Sequence, residues 1–275
     1  MNVIFATIQI YDTNLNRCQV AFIFKMKKTK LFNKNLDLSF KTKLDTLIDN
    51  FDTIAGGVGD RNIIKTAQLG TLEVNIKSFK VPNLINQIAY CFFRKSKAKR
   101  SFNYAQKLLE LNIGTPKPLA YYESTTLFLF KKSFYVSEHL NYDLTYRELI
   151  HDFNYPDYNN ILREFTRFTF NLHQNGVHFL DHSPGNTLIK KADNGSYNFY
   201  LVDLNRMQFG TLDFDTRMKN FAKLSKYKSM VEIMSDEYAK CINKDYNLVF
   251  NAMWAEVVSF RTKYERKERL KKSFK

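Results

Sequence analysis

The chain has 275 residues, 44% of them hydrophobic and 15% aromatic, enough to bury a substantial core and better suited to one two-lobed domain than to several small ones. Its 42 lysines and arginines against 27 acids give a net charge of +15, which draws phosphate-rich partners without choosing between nucleic acid, an anionic membrane and a phosphorylated lipid headgroup. Three widely spaced cysteines, Cys18, Cys91 and Cys241, support neither a disulfide framework nor a paired zinc site and point to a reducing compartment, and no run reaches the roughly 18 apolar residues that cross a bilayer.

At the start, apolar Val3–Ile10 and Val20–Phe24 are separated by polar Tyr11–Gln19 with no basic leader, which argues against a signal peptide. Met26-Lys27-Lys28 is an alternative translation start, with residues 1–25 then an edge hairpin or an arm outside the fold. Over residues 35–50 the apolar positions Leu36, Leu38, Phe40, Leu44, Leu47 and Ile48 are irregular, so the stretch reads as a weak helix or an extended entry segment without function.

Gly56, Gly57 and Gly59 precede a strand over Asn62–Leu69, a turn at Gly70 and a strand over Thr71–Phe79. Glycines in that place let backbone amides approach the phosphates of ATP, and a plain turn explains them equally well. Val74-Asn75-Ile76-Lys77 fits a V-A-I-K pattern in which the two-residue period turns Lys77 into a cleft, towards the α and β phosphates. Lys80 falls on the other face, as a solvated lysine at a strand end.

Between Pro82 and Arg100 an apolar stripe of Leu84, Ile85, Ile88, Phe92 and Phe93 lies beside Arg94, Lys95, Lys97, Lys99 and Arg100. It reads equally as a membrane-surface segment and as a helix packed on the neighbouring sheet. Residues 101–112 have helical spacing of Phe102, Ala105, Leu108 and Leu109. Gly114-Thr115-Pro116 breaks that helix, and strands follow over Leu119–Glu123 and Ser133–His139. Helices are predicted over Leu144–Phe153 and Asn160–Gln174, the latter ending on a packed or capping His173.

The richest stretch is HQNGVHFLDHSPGNTLIKKADNGSYNFYLVDLNRM, residues 173–207. Phosphoryl transfer from ATP needs a carboxylate to orient the attacking hydroxyl and accept its proton, together with oxygen ligands for magnesium. Asp181 and Asn186, five apart on one tight loop, and Asp203 at the end of the apolar Tyr200-Leu201-Val202 strand supply them. His182, inside that loop, reads equally as a substrate contact and as structural support. Beyond it, Asn247–Phe260 forms an amphipathic helix with the sole tryptophan, Trp254, turned to the core, and the tail RTKYERKERLKKSFK is a solvated basic helix.

The wording LHQNGVHFLDHSPGNTLI followed by FYLVDLNRM resembles the lipopolysaccharide kinase family, over about residues 54–260. The resemblance implies an α+β, protein-kinase-like fold: a small lobe of antiparallel sheet with one main helix, and a mostly helical large lobe. The expected division is an N-terminal extension over residues 1–50, a small lobe over 51–140, and a large lobe with a basic terminal helix over 141–275. It implies a monomeric, ATP- and Mg2+-dependent kinase of a sugar hydroxyl, by similarity the 4-hydroxyl of Kdo in a Kdo–lipid A type acceptor. The setting is the cytoplasmic, anionic face of the inner membrane, with no nucleic-acid partner. Lys77, Asp181, Asn186 and Asp203 take the catalytic roles, the last two holding the metal. Gly56, Gly57 and Gly59 reach the phosphates, and backbone amides at Glu138 and His139, where the chain crosses between lobes, meet adenine.

Two departures from protein-kinase wording stand out: Phe179-Leu180-Asp181 replaces His-Arg-Asp, and Asp203-Leu204-Asn205 replaces Asp-Phe-Gly. Leu180 removes the arginine that reads a phosphorylated activation loop. Asn103 stands where the small-lobe helix presents a glutamate to the strand lysine, so either Glu110 substitutes or the ion pair is weakened. Other readings of the same residues are a protein or small-molecule kinase of this fold, and a nucleotide-binding pseudokinase or membrane scaffold.

Overall fold

The computed structural model describes residues 26–57 and 62–273, and the expectations for residues 1–25, including Cys18, and for Gly59 lie outside them. The small lobe runs β1 (Lys27–Phe32), α1 (Leu38–Asp49), a 3-10 turn (Phe51–Thr53), β2 (Asn62–Leu69), β3 (Leu72–Phe79), α2 (Leu84–Phe92), α3 (Lys97–Glu110), β4 (Pro118–Thr125) and β5 (Phe130–Glu138). Its five strands form one antiparallel sheet in the order β1-β4-β5-β3-β2.

The two faces of this sheet are sorted by the strand period. Val74 and Ile76 of β3 point outward and are fully buried, because α1 lays Leu44 and Ile48 over them together with Phe51. Each such apolar side chain contributes about 1.5–3 kcal/mol on burial. α1 starts where the Asp37 carboxylate accepts from the amide of Phe40 at 2.7 Å, a side-chain N-cap that the irregular apolar spacing did not reveal. The boundary expected at residue 50 is therefore corrected. Residues 27–49 belong to the small lobe, with β1 closing one edge against β4 and α1 forming the outer layer.

Lys77 faces the opposite way, beside Ile64 of β2 and Tyr135 of β5. Under that inner face lies α3, which begins at Lys97, earlier than its apolar spacing suggested, because Ser96 caps it by accepting from the amide of Lys99. Its buried Ala98, Phe102 and Ala105 keep helical spacing, and the first two pack on Phe79 and Tyr121. α2 behaves differently. It meets the sheet through Tyr90 on Phe130, has no buried residue, and leaves Ile85 79% and the following Phe93 83% exposed. It is packed on the sheet by one face alone, and the apolar stripe lies on the other.

The large lobe contains β6 (Leu144–Thr145), α4 (Tyr146–His151), α5 (Tyr158–Gln174), β7 (Val177–Phe179), β8 (Thr187–Lys191), β9 (Tyr197–Leu201), β10 (Met207–Phe209), α6 (Phe214–Asn220), α7 (Lys228–Ile242) and α8 (Tyr246–Ser273). Buried Ile161, Leu162 and Phe165 of α5 pack with Tyr238 of α7 and with Val249, Met253 and Val257 of α8. Trp254 packs half-buried against this core. The lobes are joined at Gly114 and Thr115: the Leu201 amide donates to the Gly114 carbonyl at 2.9 Å, and Thr115 Oγ1 donates to the Leu201 carbonyl at 2.8 Å. A Cβ on Gly114 would stand 2.2 Å from the Phe199 carbonyl oxygen, so only glycine permits this approach.

Candidate active site

Two short ribbons carry the site. β7 pairs with β10, and the Leu180 amide donates to the Arg206 carbonyl at 3.1 Å, so the chain turns sharply as it reaches Asp181. β8 pairs with β9, and one step beyond that pairing the Val202 amide donates to the Asn186 carbonyl at 3.0 Å. Asp203, the next residue, thus emerges beside Asn186. Asn186 ends a single 3-10 turn, and its Nδ2 donates to the Asp181 carbonyl at 2.8 Å, which leaves its Oδ1 for a ligand. The loop of six residues from 181 to 186 is closed on itself by that bond.

Lys77 completes the set. Its ammonium lies 2.8 Å from Asp203 Oδ1, with 13% of the lysine side chain and 30% of the aspartate side chain exposed. Asn205 also donates to Asp203. The backbone of Asp203 sits at φ +57°, a left-handed conformation that costs about 1–3 kcal/mol in a non-glycine residue and that persists only where surroundings enforce it. Lys77, Asp203, Asn186 and Asp181 are therefore linked by direct contacts or through adjacent backbone.

Sequence reasoning missed the cations around Asp181. Lys223, which follows α6, donates to the Leu180 carbonyl at 2.7 Å and lies 3.4 Å from Asp181 Oδ1, and Arg206 Nη1 lies 3.9 Å from Oδ2. The separation of 42 residues between Lys223 and Asp181 leaves no local pattern to read.

Other expected residues lie elsewhere. Neither Asn103 nor Glu110 pairs with Lys77 among the described residues; Glu110 is exposed at the end of α3, and Asp203 is the carboxylate that holds the lysine. Gly56 and Gly57 have φ of +72° and +135°, and a Cβ on Gly57 would meet Ile63 and Lys65. Those side chains lie on the face of β2 opposite to Ile64, the partner of Lys77, so Gly57 packs away from the cluster, while a Cβ on Gly56 would meet nothing within 4 Å. The amides of Glu138 and His139 are already bonded, to the carbonyls of Lys117 at 2.9 Å and Glu73 at 2.8 Å, and so do not offer themselves to adenine. His139 Nδ1 is buried without a partner among the described residues.

The two histidines at the end of α5 and inside the loop are structural. His173 is locked between the Tyr238 hydroxyl at 2.7 Å and Asn220 Oδ1 at 3.1 Å, while Asn220 Nδ2 donates to the Phe179 carbonyl at 2.8 Å. With Oδ1 as acceptor, His173 carries its proton on Nε2. His182 is buried between the rings of Phe165 and Phe179. Burial pushes the pKa of His173 down to about 4 and that of His182 down to about 3, so both are neutral at pH 7.

Among the described residues no three His, Cys, Asp or Glu side chains gather as a metal site. One carboxylate and one amide oxygen nevertheless suit Mg2+, which keeps water and phosphate oxygens for the rest of its shell. Next to Asp181 and Asp203 opens a cavity of about 890 Å3, walled on its other side by α2 and α3.

A protein-family comparison matches residues 82–246, more than half of the chain, to the model described as the lipopolysaccharide kinase (Kdo/WaaP) family. The chain belongs to this family. It is accordingly a phosphotransferase of lipopolysaccharide synthesis, and family membership implies ATP as the donor. No curated protein matches the chain by sequence. Among solved structures, one described as WaaP in complex with acyl carrier protein is similar, at 14% identity and TM-score 0.58, covering 86% of this chain and 98% of that one. That likeness concerns the fold, and it agrees with the α+β two-lobed architecture of this lipopolysaccharide kinase family member.

Proposed function

We propose that this lipopolysaccharide kinase uses ATP and magnesium to phosphorylate the 4-hydroxyl of Kdo in a Kdo–lipid A type acceptor. The observation that carries the proposal is the contact chain from Lys77 through Asp203 and Asn186 to Asp181, which brings a small-lobe ammonium to three oxygen-bearing groups of the large lobe. Magnesium-ATP supplies the phosphoryl group and offsets part of its charge. Asp203 and Asn186 Oδ1 would hold the metal, and Lys77 would bind the α and β phosphates. Asp181 orients the sugar hydroxyl and accepts its proton, while Lys223 fixes the loop that presents it. The Glu138–His139 crossing borders the adenine end. The described part of the glycine run has no role in this scheme, since Gly57 looks away from Lys77.

The enzyme works at the anionic, cytoplasmic surface of the inner membrane. No helix among the described residues is long and apolar enough to cross a bilayer. What supports surface docking is α2, whose exposed Leu84, Ile85, Ile88, Phe92 and Phe93 lie next to a basic run from Arg94 to Arg100. Replacing Ile85 and Phe93 together by aspartate is expected to lower co-sedimentation with phosphatidylglycerol vesicles while thermal unfolding stays unchanged. The function itself is tested with labelled ATP and purified protein, offering Kdo–lipid A beside a generic protein acceptor. Magnesium-dependent label in the lipid is the expected result; ATP binding with no transfer to any sugar acceptor would sink the proposal.

A further inference from the structure

The wall that α2 and α3 give to the large cavity carries three cations without counter-charges among the described residues. Arg94 and Arg100 both stand over the Tyr90 ring, with guanidinium carbons 5.6 and 5.9 Å from its centroid, and Lys97 lines the same wall. None of the three forms an ion pair among the described residues, and Arg100 Nε is buried without a partner. The arrangement is repulsive twice over. Like charges are gathered on one wall, and they sit at the start of α3, a helix of 14 residues whose first turn holds no acid and whose dipole is positive at that end. A cluster of this kind is neutralised when an anion occupies it.

The position of the cavity selects the occupant. Asp181 and Asp203 line it, whereas Lys77 and Asn186 do not. Asp181, to which the scheme above gives the acceptor hydroxyl, thus borders the cavity, and Lys77, to which it gives the ATP phosphates, does not. We infer that Arg94, Lys97 and Arg100 form an anion subsite for the acceptor, gripping a phosphate or carboxylate of the acidic glycolipid while its sugar hydroxyl rests at Asp181. The inference rests on the kinase reading above and assigns the acceptor side of the same site. Because α2 carries Tyr90 on this wall and the apolar stripe on its outer side, the glycolipid passes from the membrane surface to Asp181 along one helix.

The test uses full-length Arg94→Gln, Lys97→Gln and the double variant, with Arg94→Lys as the conservative partner. Arg94 is exposed, so the core is untouched, and thermal unfolding checks this. Three quantities are read: acceptor Kd for Kdo–lipid A without nucleotide, and acceptor KM and ATP KM during turnover. Each glutamine variant is expected to raise acceptor Kd and KM about tenfold, with Arg94→Lys intermediate and ATP KM changed by less than about twofold. Wild-type protein offered acceptor without its lipid A phosphates, or with its Kdo carboxylate methylated, identifies which anion is held: the form missing that anion reproduces the loss.

An unchanged acceptor Kd in the double variant overturns the inference. So does a rise in ATP KM in place of acceptor KM, an equal loss of binding to phosphatidylglycerol vesicles lacking the acceptor, or the same effect from Lys190→Gln with Lys191→Gln on β8. Wild-type protein that binds Kdo–lipid A in an Arg94-dependent way but transfers nothing supports the subsite and refutes the kinase reading, which keeps the two failures apart.

Discussion

Replacing Asp203 separates chemistry from stability, because the residue holds both a charge and an unusual backbone. At 2.8 Å and an effective dielectric of about 20, its gross attraction to Lys77 is about 6 kcal/mol. Desolvation of both groups offsets most of this. Stranding a fully buried partner costs about 3–5 kcal/mol, and since Asp203 keeps 30% of its side-chain surface the cost here is discounted to about 1–2 kcal/mol. Backbone strain then orders the variants. Asparagine tolerates φ +57° much as aspartate does, alanine adds about 1 kcal/mol, and glycine removes a similar amount. Melting temperatures should therefore fall in the order glycine, asparagine, alanine, by a few degrees per step at about 2–4 °C per kcal/mol. Phosphoryl transfer to Kdo–lipid A should drop by at least about 100- to 1,000-fold in all three alike. Differential scanning fluorimetry and labelled-ATP turnover measure the two quantities. Turnover that recovers with stability in Asp203→Gly, or an Asp203→Asn enzyme keeping more than about a tenth of wild-type rate, would refute the assignment of Asp203 to the chemistry.

Lys223→Gln removes the ammonium that donates to the Leu180 carbonyl at 2.7 Å and lies beside Asp181. A charge-assisted bond of about 1.5–3 kcal/mol corresponds to a fall in kcat of about 10- to 100-fold, with ATP affinity measured by calorimetry unchanged. Acid should destabilise the fold through its buried histidines. In the unfolded chain they protonate below about pH 6.5, whereas the folded values of about 4 for His173 and about 3 for His182 keep them neutral. The unfolded state thus binds the extra protons, and stability is lost as pH falls from 6.5 towards 4, by about 2 kcal/mol per histidine between pH 7 and 5. Urea unfolding of His182→Leu across that range should show about half of the pH dependence, and an unchanged slope would contradict the assignment.

What was legible in the sequence was the part held by short-range geometry. The spacing of Asp181 and Asn186 closes one small loop, the apolar run before Asp203 declares its strand, and the two-residue period singles out Lys77 over Lys80. The family match begins at residue 82, so Lys77 was reached by strand period and not by that match. What stayed hidden depends on distant pairings. β1, written KKTKLF, shows no alternation and is a strand only because β4, roughly ninety residues away, pairs with it. Lys223 reaches Asp181 through the placing of α6, and Asp203 supplies the carboxylate that Asn103 cannot. Gly57 fitted a phosphate cradle and a plain turn equally well because composition does not say on which side of β2 it packs.

The bonds that bind Gly114 and Thr115 to Leu201 have a mechanical consequence. The tail of α3 is tied to the strand that delivers Asp203, so that end of the small lobe is held to the large lobe by two hydrogen bonds besides the chain crossing after Glu138. Displacement of the small lobe is smallest near that tie, and Asp203 lies two residues from Leu201, whereas the far end of α3, with Lys97 and the preceding Arg94, lies furthest from it. Domain motion would thus leave Asp203 almost still while moving the cationic wall of the cavity most.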